Sequence, residues 1–167
     1  HFLLGKISSK FVGLVDSSYG STTSTSGAFT MNTSNTNSGG WGSSQMRSKV
    51  LGSASSPTSP TANTLLAALP SDLRAVMKSC TKYTDNKGGS NTASNVSSTT
   101  DYLFLLSEYE VFATHQYCND AEPNYQAQYD YFKAGNSKVA NKHSATGTAA
   151  VWWLRSPSYN NIIYTHY

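Results

Sequence analysis

The sequence predicts an α+β domain, and three observations carry that expectation. Short apolar runs alternate with turns rich in Gly, Ser, Thr and Asn along the 167 residues, a pattern of short elements rather than long ones. Helix-start chemistry stands at Pro70-Ser71-Asp72, at Ser107 through Glu110 and at Pro123. The run Ala150-Val151-Trp152-Trp153-Leu154-Arg155-Ser156-Pro157 reads as a strand closed by proline. Neighbours on a strand face opposite ways, so one Trp enters a core and the other covers the opposite face. Short helices, short strands and long loops together give α+β, and the length suits one domain over residues 1–167.

From the N-terminus, residues 2–4 and 10–16 read as strands with bends at Gly5 and Gly13. Residues 17–27 are a solvated loop, and a turn-rich stretch over 32–40 ends at Trp41. A short helix over 43–51 carries Met46, Val50 and Leu51 as its apolar stripe. Pro57 and Pro60 mark a loop over 53–62. Asn63 caps a helix through Leu65, Leu66 and Leu69. Ser71 caps the next, with Asp72 near its positive end and Leu73, Val76 and Met77 inward. Residues 79–84 form a strand, and 85–100 a polar loop with Gly88-Gly89 at its tip. Tyr102-Leu103-Phe104-Leu105-Leu106 is the clearest buried strand. Ser107 and Glu110 then have capping-box spacing before a helix carrying Val111 and Phe112. Pro123 suits a helical first turn; Tyr125, Tyr129 and Phe132 would share one face, with Gly135 ending the helix. Residues 136–148 form a loop before the Trp strand.

Hydrophobic residues are 38% and charged residues 13%, both low for a globular domain. Small polar residues fill the gap, and three Trp, eleven Tyr and six Phe supply the core area that aliphatics do not. A formal net charge of +3, with Lys and Arg scattered, is too weak to argue for a nucleic-acid footprint. No stretch approaches the roughly 20 apolar residues of a membrane span, and no signal peptide stands at the start. The chain begins with His1 rather than Met, which suggests a processed chain or a piece of a longer one. Cys80 and Cys118 match no metal-ligand spacing. They are either two buried free thiols or, if their Cα atoms lie within roughly 7 Å, a disulfide.

The chain resembles an uncharacterised domain family of bacterial surface and phage proteins with a C-type-lectin-like fold. The resemblance is carried by Asn35-Thr36-Asn37-Ser38-Gly39-Gly40-Trp41, Ser44-Gln45-Met46-Arg47, Leu69-Pro70-Ser71-Asp72-Leu73-Arg74-Ala75-Val76, Leu103 through Phe112, Gln128-Tyr129, Gly135-Asn136-Ser137 and Trp152 through Pro157. It implies mixed short strands, two main helices and long loops bearing variable recognition residues. It implies no established activity. The family pattern runs on past the Trp strand through further strands, whereas this sequence ends at Tyr167, so the last strands of the sheet would be missing or supplied by another chain.

Glu122-Pro123-Asn124 spells the calcium and sugar tripeptide of animal C-type lectins. The downstream Trp-Asn-Asp partner is missing and a hard cation needs six to eight oxygens, so the match reads as coincidence. Glu108 and Glu110 could serve as an acid/base pair, but residues two apart on a helix diverge, and capping by Ser107 and Glu110 is preferred. The same stretch echoes formylglycine-generating enzymes, whose C-terminal cysteine pair this chain lacks. His115 and His143 have no third ligand at useful spacing. Arg155 either holds a ligand anion or pairs with Asp72 or Glu108 to brace the fold, and bracing is preferred. Trp41, Trp152 and Trp153 read as structural. Asn32-Thr33-Ser34 and Asn95-Val96-Ser97 match glycosylation acceptors.

The tail offers Tyr159, Asn160, Asn161, Tyr164, His166 and Tyr167 as ligand-contacting residues. Tyr gives amphipathic area at low entropy cost, and Asn gives adaptable hydrogen bonds. Every residue of 159–167 is Asn or one adenine change from it, the signature that adenine-directed diversification would leave; a polar edge strand explains the same composition. The expectation is a non-enzymatic adhesion or receptor-recognition module on a phage particle or bacterial surface, hence extracellular, cell-surface or virion-borne. Its partner would be a host-surface glycan or protein, with no metal, cofactor or catalytic residue and no nucleic acid. The recognition surface would be the loops over 85–100 and 136–148 together with the tail. The alternative is a structural virion or fibre component that binds other surface proteins or itself.

Overall fold

A computed structural model describes residues 31–32, 38–86, 91–142, 145–150, 152–157 and 164–166. The expected strands at 2–4 and 10–16, the loop at 17–27, the Gly88-Gly89 tip, His143 and Tyr159, Asn160, Asn161 and Tyr167 lie outside them. The described chain is α+β. A 3-10 turn at Trp41–Ser43 leads into a π-helical turn at Met46–Leu51. Helices α1 (Leu65–Ala68) and α2 (Ser71–Val76) follow. Strand β1 (Cys80–Asp85) pairs antiparallel with β2 (Val96–Asp101), Cys80 opposite Asp101 and Asp85 opposite Val96. Next come α3 (Glu108–Phe112), a 3-10 turn at Glu122–Tyr125 and α4 (Asp130–Lys133). Strand β3 (Ala140–Lys142) pairs with β4 (Ala145–Ala150), and β5 (Trp153–Pro157) with β6 (Tyr164–His166), both antiparallel.

Among the described residues, two apolar clusters form the core. Met31, Trp41, Met46, Val50, Leu51 and Leu65 make the first, with Leu103, Phe104, Leu105 and Trp153 packed against it. Val111, Phe132 and Leu154 make the second, joined by Leu106, Phe112, Tyr129 and Trp152. The strand alternation at Trp152-Trp153-Leu154 is therefore as expected: Trp153 turns to one cluster while its two neighbours turn to the other. The stripe Met46, Val50, Leu51 is buried as its spacing predicts, on a π turn closed by Gly52 in the left-handed region.

Several expected elements differ. Tyr102–Leu106 is no strand. Its backbone is drawn to separate partners: the Tyr102 N–H donates to the Ser53 carbonyl, and the Leu105 and Leu106 carbonyls accept from Arg155. Its half-buried apolar side chains span the two clusters instead. The last five residues of the expected loop 85–100 belong to the hydroxyl-rich strand β2, as β-branched Val and Thr suit extended backbone. The expected loop 136–148 contains β3 and the start of β4. In place of the two main helices expected, the described residues form a set of short ones, the longest α-helix among them spanning six residues. Thr64, not Asn63, caps α1, its hydroxyl accepting from the Ala67 N–H. Ser71 lies inside α2 and does not cap it. Val76 is 73% exposed rather than inward; Arg74 fastens α2 by donating to the Leu69 and Pro57 carbonyls.

The helix expected from Pro123 breaks after one 3-10 turn. The Gln126 and Gln128 amides donate to the Tyr83 and Val111 carbonyls, and the Tyr129 N–H donates to the Glu110 carbonyl. These bonds hold residues 126–129 out of the helix. Tyr125 consequently points to solvent instead of sharing a face with Tyr129 and Phe132. Core position decides the cost of truncation: Leu154→Ala, in the second cluster, is expected to lose about 2–5 kcal/mol, and Val139→Ala, on the exposed segment before β3, less than about 0.5 kcal/mol, both read from urea unfolding.

Candidate functional site

Of the eight acidic residues among the described residues, five are buried: Asp85, Asp101, Glu108, Glu110 and Glu122. Burying a carboxylate is costly unless charge and hydrogen bonds compensate it, and most of the described ionic contacts serve that end. Glu110 is the centre. It closes the expected capping box with Ser107, whose hydroxyl accepts from the Glu110 N–H while a Glu110 oxygen accepts from the Ser107 N–H at 2.9 Å. The same carboxylate pairs with Arg155 at 2.6 Å and with Lys82 at 2.8 Å. Burial pushes the Glu110 carboxyl up, but the two cations outweigh it and hold the group below its ordinary value. Arg155 also donates to Thr84 Oγ1 and to the Leu105 and Tyr83 carbonyls. It braces the fold as expected, with Glu110 rather than Asp72 or Glu108 as its partner.

Asp101 is a second anchor. It accepts from the Trp41 indole at 2.8 Å, from Thr99 at 2.7 Å and from Arg47 at 2.8 Å. Trp41 is buried because Gly40 lets the backbone close on β1: a Cβ at Gly40 would lie 1.9 Å from the Asp85 carbonyl oxygen. Glu108 turns away from Glu110, as residues two apart do, and accepts the N–H groups of Gln116, Tyr117 and Cys118. Glu122 accepts from the Asp85 N–H and the Ser156 hydroxyl. It faces inward, and the peptide bonds among the described residues are all trans. Burial raises its carboxyl to about 7 against those bonds and the attraction of Arg155. Burial and the charges of Glu122 and Glu108 push the Cys118 thiol up, which disfavours the thiolate. Both cysteines are free, but Cys80 is exposed rather than buried.

An open cleft of about 410 Å³ lies over the Glu110 cluster. Its floor is Lys82, Glu110 and Arg155, and its walls are β1 at Thr81–Tyr83 and the extended segment 126–129. The floor is fully engaged: Lys82 bonds Glu110 and the Tyr129 hydroxyl and sits 4.1 Å from the centre of the Phe104 ring. At the mouth, Tyr125 stacks on Tyr83 with ring centres 4.6 Å apart, yet is 51% exposed. Among the described residues, the Thr81 and Tyr125 hydroxyls, the Gln128 amide oxygen and the Asp130 carboxylate have no protein partner. They are the groups open to a ligand. His115 lies 3.6 Å from Asp120 at the surface. Among the described residues no group of three His, Cys, Asp or Glu converges as a metal site would, and no helix is long and apolar enough to cross a membrane.

Of the sequence-predicted residues, Trp41 and Arg155 are buried, Trp152 and Trp153 are half-buried, and Ser107 and Glu110 form the cap. Tyr164 and His166 lie on β6, paired opposite Pro157 and Trp153. Lys82, Asp101 and Tyr83 are site or frame residues that local sequence patterns do not mark, and Tyr125 stands at the cleft mouth rather than on the helix face expected of it. The low charged fraction was the available signal, since each charge in such a chain stands out. The family model for a domain of unknown function, DUF6273, matches residues 20–167. The chain belongs to this family. No curated protein and no solved structure matches it significantly. The DUF6273 match spans the Gly-Gly-Trp turn, the capping box, the cleft and the Trp strand alike.

The two perturbed carboxyls give opposite pH dependences. Glu122 holds its proton more tightly folded than unfolded, so its contribution is full below 4.5 and fades as pH rises toward 7. Glu110 contributes fully above its ordinary value of 4.5, and that contribution is lost as pH falls through its lowered folded value. Urea midpoints measured across pH are expected to fall between 4.5 and 7 in the wild type and to flatten there in Glu122→Gln. Glu110→Gln is expected to cost about 3–5 kcal/mol at neutral pH, because it strands two buried cations.

Proposed function

We propose that this DUF6273 domain is a non-enzymatic ligand-binding module of C-type-lectin-like fold. It would be displayed on a phage particle or bacterial surface and engage a host-surface glycan or protein. One observation carries the reading: within a single cleft, the charged groups of the floor are committed to one another, while the groups at the mouth are open. A general acid or base needs a proton it can exchange with substrate. Glu110 is instead surrounded by the Ser107 N–H, Lys82 and Arg155. The open groups are a half-exposed Tyr ring, hydroxyls, an amide oxygen and one rim carboxylate, which recognise rather than transform.

The C-type-lectin-like arrangement draws its support from strands of three to six residues, α-helices of four to six, and extended connections between them. Residues Tyr159, Asn160, Asn161, Tyr164, His166 and Tyr167 extend the recognition surface in this reading. Rigid elements carry the contacting groups, the usual division of labour for a binding scaffold.

The purified protein is expected to be monomeric by light scattering and to bind host cells or an immobilised glycan panel saturably. Tyr125→Ala should weaken that binding by about 2 kcal/mol, as loss of a central aromatic contact does, with an unchanged unfolding midpoint. A fixed oligomer that binds neither would make the domain a structural virion or fibre component that associates with itself.

A further inference from the structure

The wall of the cleft formed by β1 is an open strand edge. Residues of an antiparallel strand point their N–H and C=O groups alternately toward and away from the paired neighbour. The Asp85 N–H donates to Glu122, and the Tyr83 carbonyl accepts from Gln126 and Arg155, both away from β2. The Asn86 N–H turns the other way, to the Asn95 carbonyl at the end of the β2 side. Thr81 and Tyr83 share the parity of Asp85, so their backbone groups face the cleft. Among the described residues, the Thr81 N–H and C=O and the Tyr83 N–H have no partner. Thr81 is exposed as well.

We infer that this edge receives an extended peptide segment of a protein partner, added beside β1 in the cleft. The inference rests on the binding-module reading and names the ligand class of its site. One partner residue opposite Thr81 would exchange both backbone hydrogen bonds with it, and the Tyr83 N–H supplies a third. Gln126 and Arg155 on the Tyr83 carbonyl end the edge there, so the segment is short. The floor cations face Glu110, and the rim adds the carboxylate of Asp130. The cleft thus balances to near neutrality and suits an uncharged segment. The exposed face of Tyr125 then covers one of its side chains. A saccharide would use the hydroxyl and amide groups of the mouth but has no use for backbone donors and acceptors in strand spacing.

The test uses the whole chain with an array of capped, uncharged hexapeptides and a panel of neutral oligosaccharides. Amide hydrogen exchange is followed at saturating concentration of the best-bound probe. A bound hexapeptide is expected to protect the Thr81 and Tyr83 amides. Thr81→Pro, which removes the edge N–H without touching the β2 ladder, should weaken that hexapeptide at least about tenfold, or 1.4 kcal/mol. Thr81→Val, which keeps the backbone groups and loses only the hydroxyl, should weaken it clearly less than Thr81→Pro does; circular dichroism checks that both variants fold. Hexapeptide binding that ignores Thr81→Pro, or leaves both amides unprotected, overturns the inference. So does protection by oligosaccharides alone, or host-cell binding without any bound hexapeptide; both leave the binding-module reading standing. Binding to none of hexapeptides, oligosaccharides or cells overturns both.

Discussion

The fold depends on the burial of Glu110 against Arg155. The described strands make only pairs, β1 with β2, β3 with β4 and β5 with β6, so no wide sheet joins them. Arg155 supplies part of that connection from β5. It reaches Thr84 and the Tyr83 carbonyl on β1, the Leu105 carbonyl between the clusters, and Glu110 on α3. Its own N–H donates to the Leu106 carbonyl. Desolvating such a group is expensive, and the expense is offset only when nearly every donor finds an acceptor in good geometry. A displaced strand would leave a buried guanidinium unsatisfied. The pair therefore selects one arrangement of its elements more than it adds stability.

What the sequence made legible was local. The capping box lies within one turn, the stripe of Met46, Val50 and Leu51 within two, and the Trp alternation within three adjacent residues. Each is fixed by a backbone period that a short window contains. Arg155 was legible as a brace because an arginine inside an apolar strand run needs a buried partner. Its partner was not, since Glu110 is 45 residues away in sequence. Trp41 and Asp101 are 60 residues apart, and Lys82 and Glu110 are 28. Nothing in a local pattern couples such positions; the tertiary fold does.

The exchange of roles between 96–101 and 102–106 has the same origin. The first run has few apolar residues and reads as loop, the second is nearly all apolar and reads as strand. Backbone pairing, however, does not require apolar side chains. β2 can be formed from Ser and Thr because β1 lies beside it in register and Asp101 anchors its end. The apolar run sends three successive residues, Leu103, Phe104 and Leu105, to the first cluster and Leu106 to the second, whereas a regular strand would alternate them between two faces. Hydrophobicity marked burial correctly there, and secondary structure followed the hydrogen-bond partners instead.

The cleft follows from one broken helix. Had the turn at Glu122–Tyr125 continued, Tyr125 would have joined Tyr129 and Phe132 on an inward face and been lost to the second cluster. Gln126 prevents this through its two ends. Its amide nitrogen donates to the Tyr83 carbonyl, and its amide oxygen takes the hydroxyl of Ser107 from the capping box. The break thereby inherits the rigidity of the Glu110 cluster, since Ser107 and Glu110 cap the same helix. It turns Tyr125 outward onto Tyr83, opens the space above Lys82, and closes β1 at Tyr83 while leaving it open at Thr81. The groups open to a ligand are thus placed by the same bonds that stabilise the frame.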